Sequence, residues 1–514
     1  MPEPGLAQLN PVHSLSIPLN PAAPPAPAAG ARNTLSPRKS SPTGLVEDLV
    51  QRLGPAAVLT DPDAKAAYTL DWRKKYPSDA LAVVRPDSTD LVAEAVKVCA
   101  RHGVSITPQS GNTGLVGGSV PTQPSREIVL SLDRMGAVED VDPVGNTMLV
   151  QTGCILAHAQ QAAEAEDRLF PLSLGAEGTC RIGGNLSTNA GGINVLKYGN
   201  MRDLVLGLEV VLADGRIWNG LNRLRKDNTG YDLKNLFIGA EGSLGIITRA
   251  VLKLFPRPRD RVTLWLACAS PAACLAALNA FRGQLGEAVM AGEIMPRIAV
   301  EQALSLISGL RPPLPMTPPW SLLLEVGVFD ERGQINETVD ALLNDALQAG
   351  IVQDGVIAQT SDQARALWQI REGVPEAETR AGPSIKHDVS VPVAQIPALI
   401  EQGSALLESL YPGSRPVPFG HLGDGNLHFN LCPPVASIGD PEREAHFLAA
   451  WSNINAAFHD LVGSMGGSIS AEHGIGQLKR AELARTADPV GLSLMRQLKA
   501  TLDPDNRFNP GKLL

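Results

Sequence analysis

The chain has 514 residues, 44% hydrophobic and 19% charged, with a formal net charge of -9 and a pI near 5.6. That length allows two or three domains with real cores, and the composition is that of a globular protein rather than a fibrous or disordered one. An acidic chain lacks the cationic surface that nucleic-acid phosphates need, and no run of 18 apolar residues is present to form a transmembrane segment.

Residues 1–43 are Pro, Ala and Ser, as in NPAAPPAPAAG, and should form a disordered tail because they cannot bury enough surface to offset ordering. A transit peptide is the weaker reading of this stretch, since Arg32, Arg38 and Lys39 stand without an amphipathic helix.

Structure begins at residue 44. GLVEDLVQRLG reads as a short amphipathic helix and LAVVRP, 81–86, as a buried strand. Asp87, Ser88 and Thr89 cap LVAEAVKVCARHG, Gly103 stops that helix, and VSITPQ follows as a strand, which makes a β-α-β unit with a parallel pair. EIVLSL (127–132) and TMLVQTG (147–153) add strands.

Between these elements lies SGNTGLVGGSVP, residues 110–121, dense enough in glycine to bring backbone N–H groups close to a phosphate. It is neither GxGxxG nor a Walker A sequence, which disfavours a nicotinamide fold, and a bland mobile loop stays open on pattern alone. A second glycine-rich stretch, LGAEGTCRIGGNLSTNAGG, is followed by strand-forming blocks that run to GAEGSLGIITRAVLKLFP.

Beyond Pro256, LWLACAS, a helix through PAACLAALNAFRGQ, the strand SLLLEVGVF and the helix ETVDALLNDALQAG read as a second, α/β part. Arg371 in WQIREGVPE and Lys386 in SIKHDVSVP are its candidate anion clamps, because an Arg fork matches a carboxylate; surface cations are the ordinary alternative. His421 and His428 in GHLGDGNLHFN, with Glu472 and His473 in SISAEHGIG, are the ligand types of a divalent ion such as zinc. The Gly423-Asp424-Gly425-Asn426 turn folds two strand ends back and brings both rings together; spacing alone leaves an ordinary hairpin equally open.

Five motifs in this order, SGNTGLVGGSVP, GTCRIGGNLSTNAGG, GAEGSLGIIT, GHLGDGNLH and AEHGIG, resemble the vanillyl-alcohol oxidase and p-cresol methylhydroxylase superfamily. The similarity is to its branch of D-2-hydroxyglutarate and D-lactate dehydrogenases and the glycolate oxidase flavin subunit, and runs from about residue 45 to the closing LDPDNRFNPGKLL. It implies an α+β fold: a two-part FAD-binding domain of the p-cresol methylhydroxylase type (44–256), a substrate cap (257–410) and a C-terminal region with the metal ligands and catalytic histidine (411–514).

The resemblance implies FAD, with its pyrophosphate on Ser110, Gly111, Asn112, Thr113 and Gly114, beside Pro108, Gly117, Gly118 and Ser119. A second set of contacts is implied at Gly178, Thr179, Gly183, Asn185, Thr188, Asn189, Ala190 and Gly191. Ile246 or Ile247 should sit near the adenine side, with Gly242, Gly245 and Asn509 completing the site. The first loop holds no histidine, where covalent relatives carry one, so noncovalent FAD is expected; Cys180 reads as a packed thiol rather than a second attachment point.

The chemistry implied is oxidation of a D-2-hydroxy acid, with D-2-hydroxyglutarate the first candidate, to the 2-oxo acid. A metal on His421, His428 and Glu472, zinc being favoured, would hold the substrate hydroxyl, His473 would act as general base, and Arg371, Lys386 and Asn430 would bind the substrate while hydride passes to flavin. D-lactate or glycolate dehydrogenation is the alternative, and a non-catalytic flavin-binding subunit the reading from another class. Pro375 stands where several 2-hydroxyglutarate enzymes carry threonine, which puts distal-carboxylate binding there in doubt. No iron–sulfur or haem cysteine pattern is present, so the electron acceptor should be external, an electron-transfer flavoprotein or a quinone, with a homodimer left open. Six cysteines without a CxxC suggest a reducing compartment, the cytoplasm, or mitochondria in a eukaryote.

Overall fold

The computed structural model describes residues 44–329 and 334–514, so the tail and transit-peptide readings of residues 1–43 lie outside the described residues. Helix Leu45–Leu53 buries Leu45 and Leu49 on one face. Helix Thr89–His102 is capped as its sequence predicts: the Ser88 side chain accepts from the Leu91 N–H, and Gly103 ends it at φ 63°.

The first sheet corrects the β-α-β expectation in one respect. Val83–Val84 and Ser105–Gln109 are parallel but not neighbours, because each pairs with Glu127–Ser131, which lies between them. That strand is buried at every position, with Ile128, Val129 and Leu130 forming the apolar run expected in the middle of a sheet. The chain terminus returns to the edge of this sheet, where Ile106 N–H donates to Arg507 O (2.7 Å) and Asn509 N–H to Ile106 O (2.8 Å).

A second, antiparallel sheet takes Val138–Asp142, Thr147–Gln151, Ile246–Lys253, Val205–Val211 and Ile217–Gly220 in that order. The glycine-rich RIGGNLSTN stretch is a helix, Ile182–Thr188, closed by Asn189 at φ 53°.

The third sheet has seven antiparallel strands: Asp354–Ile357, Asp260–Cys268, Trp320–Val328, Val289–Pro296, Arg415–His421, Asn426–Cys432 and Asp388–Ser390. Residue 411, where the sequence reading starts a separate C-terminal region, therefore falls between strands of one hydrogen-bonded layer. Side chains alternate across it: Leu264, Leu266 and Cys268 pack with Cys274, Leu278 and Phe281 of helix Pro271–Leu285, while Trp265 and Ala267 pack with Leu367 and Trp368 of helix Ser361–Arg380. Pro375 lies inside that 20-residue helix and has no N–H to give the carbonyl four residues earlier, that of Arg371. Among the described residues no helix is long and apolar enough to cross a membrane.

Candidate active site

The two glycine-rich segments meet where only glycine fits. A Cβ on Gly111 would stand 2.9 Å from Arg181 N and 3.0 Å from the Cys180 Cα, so the SGNTG loop and the start of helix Ile182–Thr188 can touch backbone to backbone. Between them opens a cleft lined by Pro108, Ser110, Gly111, Asn112, Thr113, Gly114, Gly118 and Ser119 on one side. Gly183, Asn185, Thr188, Gly242, Gly245, Ile246 and Ile247 line the other. Small side chains and exposed backbone amides along two walls suit a long, doubly charged dinucleotide such as FAD.

Gly117, Gly178, Thr179, Asn189, Ala190, Gly191 and Asn509 lie off this cleft surface. Asn509 braces it instead, donating to Gly118 O (3.0 Å) and Glu241 O (2.7 Å). The sequence reading omitted Gln109, Val116, Leu132, Arg181, Gly184, Ser187 and Glu241, which share the lining. Glu241 carries a fold-level role: its carboxylate accepts the N–H groups of Ile475 and Gly476, both at 2.7 Å, and so ties the flavin cleft to the AEHGIG loop.

That loop delivers His473 to the same cleft. Asp388 fixes it there: its Oδ2 accepts the backbone N–H groups of Glu472 (3.0 Å) and His473 (2.9 Å), while Oδ1 accepts from Asn426 Nδ2 (3.0 Å). Asp388, His428, Glu472 and His473 offer ligand atoms within 4.8 Å of one another. His428 Nε2 is 3.6 Å from Glu472 Oε1, and His473 Nδ1 is 3.5 Å from Asp388 Oδ2. His421 is not one of that set of four, and its ring centroid is 5.7 Å from that of His428.

Electrostatics favour a cation in this cluster. Burial, then the charge of Asp388, pushes the Glu472 carboxyl up to about 7, and burial drives His428 well below its ordinary value. An oxygen and nitrogen donor set whose anionic member is destabilised by its neighbours fits a divalent ion that would restore the balance. Burial also lowers His473, which keeps its imidazole neutral and able to accept a proton.

Glu293, 128 residues before His421, has no signal in the sequence pattern and proves central. It is buried, its Oε1 lies 2.6 Å from His421 Nδ1, and its Oε2 accepts from Arg371 Nε at 2.7 Å. Burial opposes its charge, but His421 and Arg371 hold the carboxyl down to about 2. Burial likewise opposes charge on His421, yet Glu293 outweighs it and lifts the imidazole to about 9. Holding one ring nitrogen on a carboxylate aims the other outward, the arrangement that orients metal-ligating histidines.

The remaining substrate candidates converge on a second unforeseen carboxylate. Asn430 Nδ2 donates to Glu378 Oε2 at 2.6 Å, and Lys386 Nζ stands 3.8 Å from the same oxygen. Cys180 is buried at 2% exposure with Asn185 Nδ2 3.6 Å from its sulfur, as a packed thiol should be.

Comparison with known proteins agrees with this architecture. Residues 257–513 match the family of FAD linked oxidases, C-terminal domain, and residues 80–220 match the FAD binding domain. The chain is 38% identical over 466 residues to D-2-hydroxyglutarate dehydrogenase, mitochondrial, of Bos taurus, covering 90% of this chain and 82% of that one. It is 36% identical over 463 residues to a Schizosaccharomyces pombe protein named as a D-lactate dehydrogenase, covering 88% and 85%. In fold it is similar to p-cresol methylhydroxylase with substrate bound, with a TM-score of 0.72 at 17% identity over 91% of this chain and 96% of that one.

Proposed function

The chain belongs to the FAD-linked oxidases, and from that premise we propose that it oxidises a D-2-hydroxy acid to the 2-oxo acid and passes two electrons to an external acceptor. The observation that carries this reading is the position of His473, which lines the flavin cleft while belonging to the histidine and carboxylate cluster. A proton acceptor, a ligand set and a redox-cofactor cleft meet at one side chain. The relatives' names bring D-2-hydroxyglutarate as the first substrate to test and D-lactate as the second.

FAD, when bound, supplies the two-electron acceptor, and a divalent ion held by His421, His428 and Glu472, zinc being our choice, supplies a Lewis acid. His473 takes the proton of the substrate hydroxyl on its neutral imidazole. Arg371, braced by Glu293, binds the C1 carboxylate through its guanidinium, and Asn430 aligns it. The loop bonds from Asp388 and Glu241 hold the base still where the flavin cleft meets the ligand cluster.

We assign flavin binding to residues 44–256 and the substrate side to the rest, with an electron-transfer flavoprotein or quinone as acceptor. The described cysteines are all free and buried, which supports a reducing compartment such as the cytoplasm. The test is purified, FAD-loaded protein mixed anaerobically with D- and L-2-hydroxy acids, D-2-hydroxyglutarate and D-lactate included. Bleaching of the flavin by D-isomers alone, with a 2-oxo acid formed in equal amount, is expected; bleaching by L-isomers alone, or by none, would sink the reading.

A further inference from the structure

Arg371, Pro375 and Glu378 lie at i, i+4 and i+7 on one face of helix Ser361–Arg380. That face therefore carries a cation, a residue without a polar side chain, and an anion. Glu378 has a side chain with 0% exposure, and burial is strong enough to raise its carboxyl to about 7 against the opposing pull of Lys386, Asn430 and Arg371. Its Oε2 takes the Asn430 amide at 2.6 Å and faces Lys386 at 3.8 Å, while Oε1 has no hydrogen-bond partner among the described residues.

Two of the three groups proposed to bind substrate are thus engaged by one buried carboxylate. Lys386 keeps 30% of its side chain exposed, and its ammonium faces Glu378 at 3.8 Å. We infer that Glu378 is a positioning residue that sets specificity: by engaging Lys386 and Asn430 it biases the site toward D-2-hydroxy acids without a second, distal carboxylate. The inference rests on the proposed function and narrows it. Arg371 remains for the C1 carboxylate that every such substrate carries. A distal carboxylate would compete with Glu378 for Lys386, next to Pro375, which offers no hydroxyl or N–H. Losing the attraction of one unit cation at about 8 Å, at an effective dielectric near 20, weakens binding by tenfold or more.

The test compares two five-carbon substrates, D-2-hydroxyvalerate and D-2-hydroxyglutarate, in steady-state turnover and stopped-flow flavin reduction by wild type and Glu378→Gln holoenzyme. Wild type should favour the monoacid by about tenfold or more in kcat/KM. Glu378→Gln, which keeps size and an acceptor for Asn430, should cut that preference by about tenfold, through a lower KM for the diacid rather than a change in kcat. A wild type that prefers the diacid, or a preference left intact by Glu378→Gln, overturns the inference while the proposed function stands. A wild type reduced by neither substrate nor by D-lactate brings down the proposed function and the inference together. Should the variant fail to retain flavin, the wild-type ratio alone still decides.

Discussion

Glu293 holds His421 at 2.6 Å, and with its other carboxylate oxygen it holds Arg371 at 2.7 Å. The proposed metal ligand and the proposed substrate clamp therefore share one buried anion. Replacing Arg371 by Ala should do two things: raise the substrate concentration for half-maximal flavin reduction, and destabilise the fold by about 3 to 5 kcal/mol because a buried charge loses a partner. Thermal unfolding beside stopped-flow reduction reads both; a raised half-saturation with an unchanged melting temperature would contradict the shared-anion account.

His473→Ala should slow flavin reduction by about 100-fold to 10,000-fold at saturating substrate, the usual worth of a general base, with little change in substrate affinity. A normal limiting rate of reduction in this variant would place the base elsewhere.

Chelation should abolish turnover while the flavin spectrum persists, because the role we propose for the histidine and carboxylate cluster is toward the substrate rather than the cofactor. Glu293→Gln should weaken metal retention by about 10-fold to 100-fold, measured by elemental analysis after dialysis against graded chelator, since the carboxylate aims the His421 ring. Full activity in demonstrably metal-free protein would end this part of the mechanism.

FAD should be released completely by acid precipitation. The first loop has no histidine, and Cys180 is buried with a thiol raised by burial. Flavin retained in the pellet would direct attention to Cys180 at once.

The folded pKa of Glu378, about 7, lies above the ordinary carboxyl value of 4.5. Its contribution is therefore fully present below pH 4.5 and is lost as pH rises through about 7, by at most about 3 kcal/mol. The melting temperature of wild type relative to Glu378→Gln should fall between roughly pH 5 and pH 7.5 and then level off. A difference that is flat across this window would show that Glu378 titrates as an ordinary exposed carboxylate.

The parts of this protein whose logic is local were legible in the chain alone. Ser88 and Gly103 mark a helix because capping is a matter of adjacent residues, and the 110–121 loop announces close backbone approach through its glycines. The Gly423-Asp424-Gly425-Asn426 turn foretold that His421 and His428 share a hairpin. Order of motifs sufficed to name a family, and hence the fold. Tertiary structure alone decided which strand sits between which, since Glu127–Ser131 pairs with strands on both sides, and whether the chain past residue 410 is a separate part, since one sheet spans it. It alone supplied Glu293, Asp388, Glu241 and Glu378, carboxylates whose hydrogen-bonded partners stand 38 to 235 residues away along the chain. The physical reason is that a carboxylate's role depends on what folding buries beside it: the same side chain in a local window reads as a solvated charge, and only desolvation next to a specific histidine, lysine or backbone N–H turns it into part of a site.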